Sequence, residues 1–418
     1  MNNKIRDNRT TIFEWLATWL VIFFSGSAYA ASDNSFYGQF KYLITFGIGI
    51  GYLIKSRGKI PLACGNRKIA FWIPATWCLI CFGNWIVHNN EEIALLLSRM
   101  LHLVLAYEVI YIVSWDTFKR TYSKSIVGLC LISLICFLFL DKTSLFSIMM
   151  PKLTGYTEYG VAYTKYQGFL AYFKTGDNSR NYGAFWEPGL FATHIICAFL
   201  MLPYIDMTKG KKTLMYAVLI ISLLTTASSA GYVLLIIAII CNVLSQLKIE
   251  EERDYLKLVI VFILLGFLIC VYLNLETIFR LMSLDNNLIF EKILHISESQ
   301  RSDSVRVNLD AFLQKPLLGF GFSNLEQATS YKALGKSLIV VDTATTFRLL
   351  AAVGVAGIFF TAILVSGIFR NRKLPWFVKL VLSVITLLII NKEAHDSFLL
   401  AWCLAMYMNE ETRYPKEG

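Results

Sequence analysis

The sequence predicts an all-α, polytopic integral membrane protein of about twelve transmembrane helices. Two large loops lie on the outer face and both termini are cytoplasmic. Three observations predict this. Of 418 residues, 56% are hydrophobic and only 16% are charged, where soluble domains carry roughly 25% charged residues. Mean hydropathy is +0.55, an apolar excess too large for one membrane anchor. The lysines and arginines, which bring the net charge to +10, alternate between successive loops as the positive-inside rule requires. This composition excludes a soluble enzyme, a disordered chain and a secreted disulfide scaffold. The positive charge marks topology and membrane lipids, not nucleic acid.

A crossing helix needs roughly 20 mostly apolar residues. The stretches that qualify are 12–31, 38–54, 69–87, 93–113, 125–140, 188–205, 213–229, 231–247, 257–275, 346–369, 376–390 and 397–409. Lys4, Arg6 and Arg9 precede the first span and hold the N-terminus inside. Basic loops then follow every second span: Lys55 to Lys68, Lys119 to Lys124, Lys209 to Lys212, Lys248 to Lys257 and Arg370 to Lys379. The opposite short loops, Ser32–Tyr37, His88–Glu92 and Ser228–Ala230, contain no basic residue. Ala28-Tyr29-Ala30 after the first apolar run resembles a signal-peptide cleavage site. The length of that run and the spans that follow favour an uncleaved first helix. Ser228 to Gly231 joins the seventh and eighth spans as a tight helical hairpin. Cys78 and Cys81 form a C-x-x-C within an apolar stretch, which reads as core and not as a redox or metal pair.

The chain reads as one transmembrane domain, 1–418, interrupted by two long outer loops, 141–187 and 276–346. Loops of that length are usually functional, so the chemistry is expected there. Neither contains a cysteine. In the first, Tyr156, Tyr159, Tyr163, Tyr166, Phe169 and Phe173 recur at steps of three and four, which predicts one aromatic stripe on a helix. Such a stripe is either an interfacial belt or a stacking platform for sugar rings, with Tyr163 and Tyr166 as candidate substrate contacts. The loop ends Arg180-Asn181-Tyr182-Gly183-Ala184-Phe185-Trp186-Glu187-Pro188-Gly189. Pro188 suits the first turn of a helix, whose N-terminus favours anions. Arg180 beside it supplies a fork for phosphate or pyrophosphate, unless it merely pairs with Glu187.

In the second loop, Val305, Leu309, Phe312 and Leu313 predict a short amphipathic helix capped by Ser302 or Asp303 and stopped at Pro316. Arg306 either faces a ligand or pairs with Asp310 one turn on. Gly319 and Gly321 form a turn where backbone can approach a ligand closely. Ionisable residues within spans are costly and often functional. Arg99, His102 and Glu108 in the fourth span and His194 in the sixth are the candidates.

These segments together resemble a family. The run from Arg180 to Gly189 resembles the R-x-x-G-x-F-x-x-P-G pattern of bacterial O-antigen and capsule repeat-unit polymerases, the Wzy family, within the O-antigen ligase and polymerase superfamily. Arg306 through Pro316, Gly319 and Gly321 resembles the R…P-x-x-G-x-G pattern of their second loop. Leu224 to Ser228 resembles an L-T-x-S segment, and Gly354 to Gly357 a G-x-x-G. The four occur in the family's order across roughly residues 160–360. Ligases of the superfamily usually carry a histidine shortly before the G-x-x-G; here Val341-Asp342-Thr343-Ala344-Thr345 has none, which favours polymerase over ligase.

The resemblance implies an inner-membrane enzyme whose large loops are periplasmic and whose substrates are undecaprenyl-pyrophosphate-linked oligosaccharide repeat units. It implies Arg180 and Arg306 as catalytic cations and Glu187 as the group that activates the acceptor hydroxyl, with Asp342 and His194 as weaker choices. Trp186, Gly319, Gly321 and Arg99 join Tyr163 and Tyr166 as candidate substrate-binding residues. No metal or other cofactor is expected, and a chain-length regulator is a candidate partner. The alternatives are an O-antigen ligase and, from another class, a lipid-linked-oligosaccharide flippase. Flippases tend to have short loops and two similar halves, and no internal repeat is evident here.

Overall fold

The structure, a computed structural model, describes residues 11–29, 36–55, 66–88, 93–139, 152–156, 162–168, 170–174, 180–246, 300–325, 345–370, 374–392 and Cys403. The predicted ninth span, nearly all of the twelfth, and Asp342 lie outside the described residues. Among the described residues the chain forms twelve α-helices and one small sheet.

Helix α1 (Ile12–Phe24) starts at a capping box, in which the Thr11 hydroxyl accepts from Glu14 N and the Glu14 carboxylate accepts from Thr11 N. Helices α2 (Phe36–Lys55), α3 (Asn66–His88) and α4 (Ile93–Ile112) follow. Helix α5 (Trp115–Phe139) begins ten residues earlier than the apolar run at 125. Lys119, Arg120 and Lys124 therefore ride on its first turns and are not a loop. Hydropathy marks where a helix becomes apolar, whereas the helix itself starts where its backbone bonds begin.

Helix α6 (Pro188–Met201) is buried along all of its fourteen residues, and Pro203 converts its end into a short 3-10 turn, Leu202–Tyr204. It is the central helix of the bundle: α5, α7 (Lys209–Thr225) and α8 (Ser229–Gln246) all pack on it. The α7–α8 connection is Thr226-Ala227-Ser228, slightly earlier than expected, with Ala227 at φ 45°.

The predicted tenth span is two helices, α10 (Thr345–Val353) and α11 (Val355–Phe369), broken at Gly354 with φ 65°. Helix α9 (Gln300–Gln314) packs on α10. Helix α12 (Trp376–Ile390) packs on α8 and α11.

Two stretches, Phe71–His88 in α3 and Trp115–Leu138 in α5, are long and apolar enough to cross a membrane. Helices α1, α6, α8, α11 and α12 are apolar but shorter. Only 22% of Phe71–His88 is buried, and Leu79, Phe82 and Ile86 stand exposed along it. In water that would be a large uncovered apolar patch, whereas lipid covers it at no cost.

The described residues are mostly helical, as expected, but the aromatic helix expected in the first loop is corrected by a small sheet. Strands β1 (Lys152–Tyr156), β2 (Ala162–Gln167) and β3 (Tyr172–Lys174) form an antiparallel meander. Tyrosine and threonine favour extended backbone, and glycines at 155, 160 and 168 disfavour a continuous helix. In a strand, positions three apart point to opposite faces, so the tyrosine spacing makes no single stripe.

Helix α9 also differs from expectation. Its buried positions are Ser304, Asn308 and Ala311, while Leu309 and Leu313 are exposed. Small residues at i, i+4 and i+7 let α10 approach closely. Amphipathicity groups Val305, Leu309, Phe312 and Leu313 on one face, but the buried face is the one that carries Ser304, Asn308 and Ala311.

Candidate functional site

The motif segments dock in pairs. In the first pair, the stretch from Arg180 to Glu187 threads between the ends of α1, α5 and α7. Ala28 N donates to Ala184 O at 2.9 Å and Trp186 N to Gly26 O at 3.3 Å, which ties it to the end of α1. Asn181 is buried and spends every side-chain group: Nδ2 donates to Ser133 Oγ (3.2 Å) and Thr225 Oγ1 (2.9 Å), and Oδ1 accepts from Gly183 N (3.0 Å). Its own N–H donates to Thr225 O at 2.8 Å. Gly183, at φ 57°, leaves room for the Phe191 ring, which a Cβ would meet at 2.8 Å. Half-buried Arg180 donates from Nε to Thr226 O at 3.3 Å. Its terminal nitrogens make no hydrogen bond among the described residues, so one edge of the fork anchors the turn while the other remains to meet an anion. Arg180, Tyr172 and Phe173 border a cleft of about 10 Å³, room for one water and no sugar.

In the second pair, Pro316–Gly321 docks into the helix break at Gly354. Phe320 N and Gly321 N donate to Ala351 O and Ala352 O, both at 2.9 Å, and Val355 N donates to Pro316 O at 2.8 Å. Asn84 of α3 closes the joint, donating to Ala352 O at 3.1 Å. Gly319 and Gly321 thus approach another backbone closely, and not a ligand; a Cβ on Gly319 would collide with Ala352 O. Arg306 is exposed and forms no ion pair with Asp310. No described contact brings it to Arg180.

The two pairs meet through α12. Glu187 is the N-cap of α6 but makes no capping hydrogen bond with its side chain, and it forms no ion pair with Arg180. A Cβ on Gly189 would lie 3.1 Å from Glu187 Oε1 and 3.5 Å from Lys392 Nζ. A carboxylate and an ammonium therefore converge over the first turn of α6, where free N–H groups favour negative charge. Lys392 Nζ is buried without a hydrogen-bond partner among the described residues. The neighbouring Asn391 Oδ1 accepts from Thr346 N at 3.3 Å, tying this corner to α10 and so to the second pair. Such a corner offers a base for a hydroxyl and cationic stabilisation for a phosphate.

Trp186 is 40% exposed beside this corner, free to stack on a substrate. Tyr166 faces Phe173 across β2 and β3, ring centroids 6.1 Å apart, and Tyr163 sits opposite Gly155 in the β1–β2 register. His194 is a core residue: its Nδ1 lies 2.7 Å from Tyr122 Oη, its Nε2 3.0 Å from Ser25 O, and its ring stacks on Phe185. Both nitrogens are engaged below the surface, so it does not line the corner with Glu187. Arg99 lies 4.2 Å over the Phe322 ring, coupling α4 to the second docked turn. Lys392 escaped the sequence reading. Its signal was present, since in the expected topology a lysine between the eleventh and twelfth apolar stretches breaks the charge alternation.

Among the described residues, no group of three or more His, Cys, Asp or Glu side chains is placed to hold a metal ion. Compared with protein-family models, curated proteins and solved structures, the chain matches none of them.

Proposed function

We propose that the chain is a multi-pass enzyme of the bacterial inner membrane that polymerises undecaprenyl-pyrophosphate-linked oligosaccharide repeat units at the periplasmic face, as an O-antigen or capsule polymerase does. The observation that carries this reading is the corner where Glu187 and Lys392 converge on the first turn of α6, seven residues after Arg180. The acceptor's non-reducing-end hydroxyl attacks the anomeric carbon of the growing chain, Glu187 takes the hydroxyl proton, and undecaprenyl pyrophosphate departs. A pyrophosphate leaving group calls for fixed positive charge where the new charge develops. Lys392 and the α6 N-terminus supply it at the corner, and on this reading Arg180, seven residues before Glu187 on the same docked segment, adds to it. On the same reading exposed Arg306 of α9 is assigned to this anion, a role the family resemblance suggests and no contact among the described residues supplies.

Purified protein given lipid-linked repeat units tests this directly. Chain growth is expected, and Glu187→Gln is expected to lower it by roughly 10²–10⁴, the usual contribution of a general base. Transfer only onto lipid A-core identifies a ligase instead. Movement of substrate across vesicles without any new glycosidic bond identifies a flippase.

A further inference from the structure

Between α1 and α5 lies a groove of about 420 Å³, away from the corner at Glu187. Trp15 and Trp19 form one wall, Gly128 opens the floor, Leu170 of the β2–β3 turn closes one end, and Arg120 and Lys124 stand at the other. Arg120 and Lys124 are one helical turn apart on one face of α5, and neither forms an ion pair or hydrogen bond among the described residues. The nearby carboxylates are spent elsewhere: Asp116 pairs with Lys119 at 2.7 Å, and Glu14 serves the α1 cap. Neither lines the groove. From Arg120 to Ile132 the lining runs about 18 Å along the helix, slightly more than half of a ~30 Å hydrocarbon core. A site with two cations at one end, an apolar trough one leaflet long and an aromatic wall has the shape of a lipid with an anionic head.

We propose that this groove binds one anionic glycerophospholipid of the surrounding bilayer, its phosphate on Arg120 and Lys124 and an acyl chain lying over Gly128 toward Leu170. The proposal rests on α1 and α5 lying in a membrane, and not on the polymerase reading. A Cβ at Gly128 would meet nothing within 4 Å, so the floor is open space that a side chain can fill without displacing protein atoms. The basic residues belong to the cytoplasmic side of the charge alternation, where anionic lipid gathers. The charged end of the groove therefore lies toward the face opposite the pyrophosphate corner, and the two share no lining residue.

Native mass spectrometry of the full chain in micelles holding equal amounts of phosphatidylglycerol and phosphatidylcholine tests it. One retained phosphatidylglycerol is expected, preferred by roughly 10- to 30-fold if each basic residue contributes as at a membrane surface. Arg120→Gln with Lys124→Gln should bring the two lipids to near parity. Lys209→Gln with Lys211→Gln, an equal charge loss at exposed positions on α7, should leave the preference intact. Gly128→Leu should abolish retention while the protein stays monodisperse, since the residue fits and leucine favours helix over glycine. Equal retention of both lipids by the unaltered chain would overturn the proposal, as would an equal loss in the Lys209 and Lys211 control or unchanged retention in Gly128→Leu. Stoichiometric displacement of phosphatidylglycerol by undecaprenyl phosphate would also overturn it, by making the groove a carrier-lipid site.

Discussion

The two docked segments solve the same problem with different chemistry. The Arg180–Glu187 segment is held by side chains, above all Asn181, whose amide bridges α5, α7 and its own turn. The Pro316–Gly321 segment is held almost wholly by backbone, with glycines at φ 66°, 85° and 65° where N–H groups of each segment donate to carbonyls of the other. Side-chain joints can be retuned by substitution, because hydroxyls and amides of other geometry substitute in part. A glycine joint cannot, because a side chain at Gly319 or Gly354 would enter space the partner backbone occupies and one at Gly321 would meet the His88 side chain. The difference implies that the second pair is scaffold, fixing α9 and the α10–α11 break, while the first holds Arg180, Glu187 and Trp186, the residues to which the proposed reading gives the chemistry.

The comparison breaks most easily at its rigid half. Gly319→Ala or Gly354→Ala should cost the most stability. Positive φ alone costs about 1–2 kcal/mol for an L residue, and intrusion on a packed backbone adds about 1–3 kcal/mol more. Thermal unfolding in detergent should show a large fall in Tm or a loss of folded protein. Asn181→Ala comes next. It strands Gly183 N and removes the partner of two hydroxyls, a loss of about 1–3 kcal/mol for each buried group left unsatisfied. The Tm should fall clearly, but by less than for the glycine variants. Smallest is Tyr122→Phe beneath the first segment, which removes one hydrogen bond to His194 at about 0.5–1.5 kcal/mol. A large loss of chain growth from Tyr122→Phe at matched protein levels would contradict the core role assigned to His194.

Much of this was legible in the sequence. Pro188 marked the start of α6, but the order of the four motif segments did not say which of them dock together. What was not legible follows from physical causes. The aromatic spacing in the first loop fits a helix as well as a strand until tertiary pairing chooses, and there β1–β3 pairing wins. The break at Gly354 is invisible to hydropathy, since both half-helices are apolar. The exposed leucines of α9 obey a pattern that in a soluble protein would point inward. Gly319 and Gly321 were correctly read as points of close approach, yet the approaching group is the backbone of Ala351 and Ala352. Lys392 lies outside both long loops, and only tertiary packing brings its ammonium to the first turn of α6 beside Glu187.

On the proposed reading Arg180 and Arg306, from two separate segments, act on one pyrophosphate, although no contact among the described residues joins them. The direct measurement is polymer chain length in membranes carrying Arg180→Lys or Arg306→Lys at matched protein levels. Lysine keeps the charge but loses the planar fork that grips two phosphate oxygens, and loss of such a fixed contact typically costs about 10²–10³ in rate. The account predicts that each variant folds normally and that each collapses the polymer to short products. Near-normal chain length from either variant would contradict it. For Arg306 that result would leave only an exposed helix charge, whose pairing is worth about 0.2–1 kcal/mol.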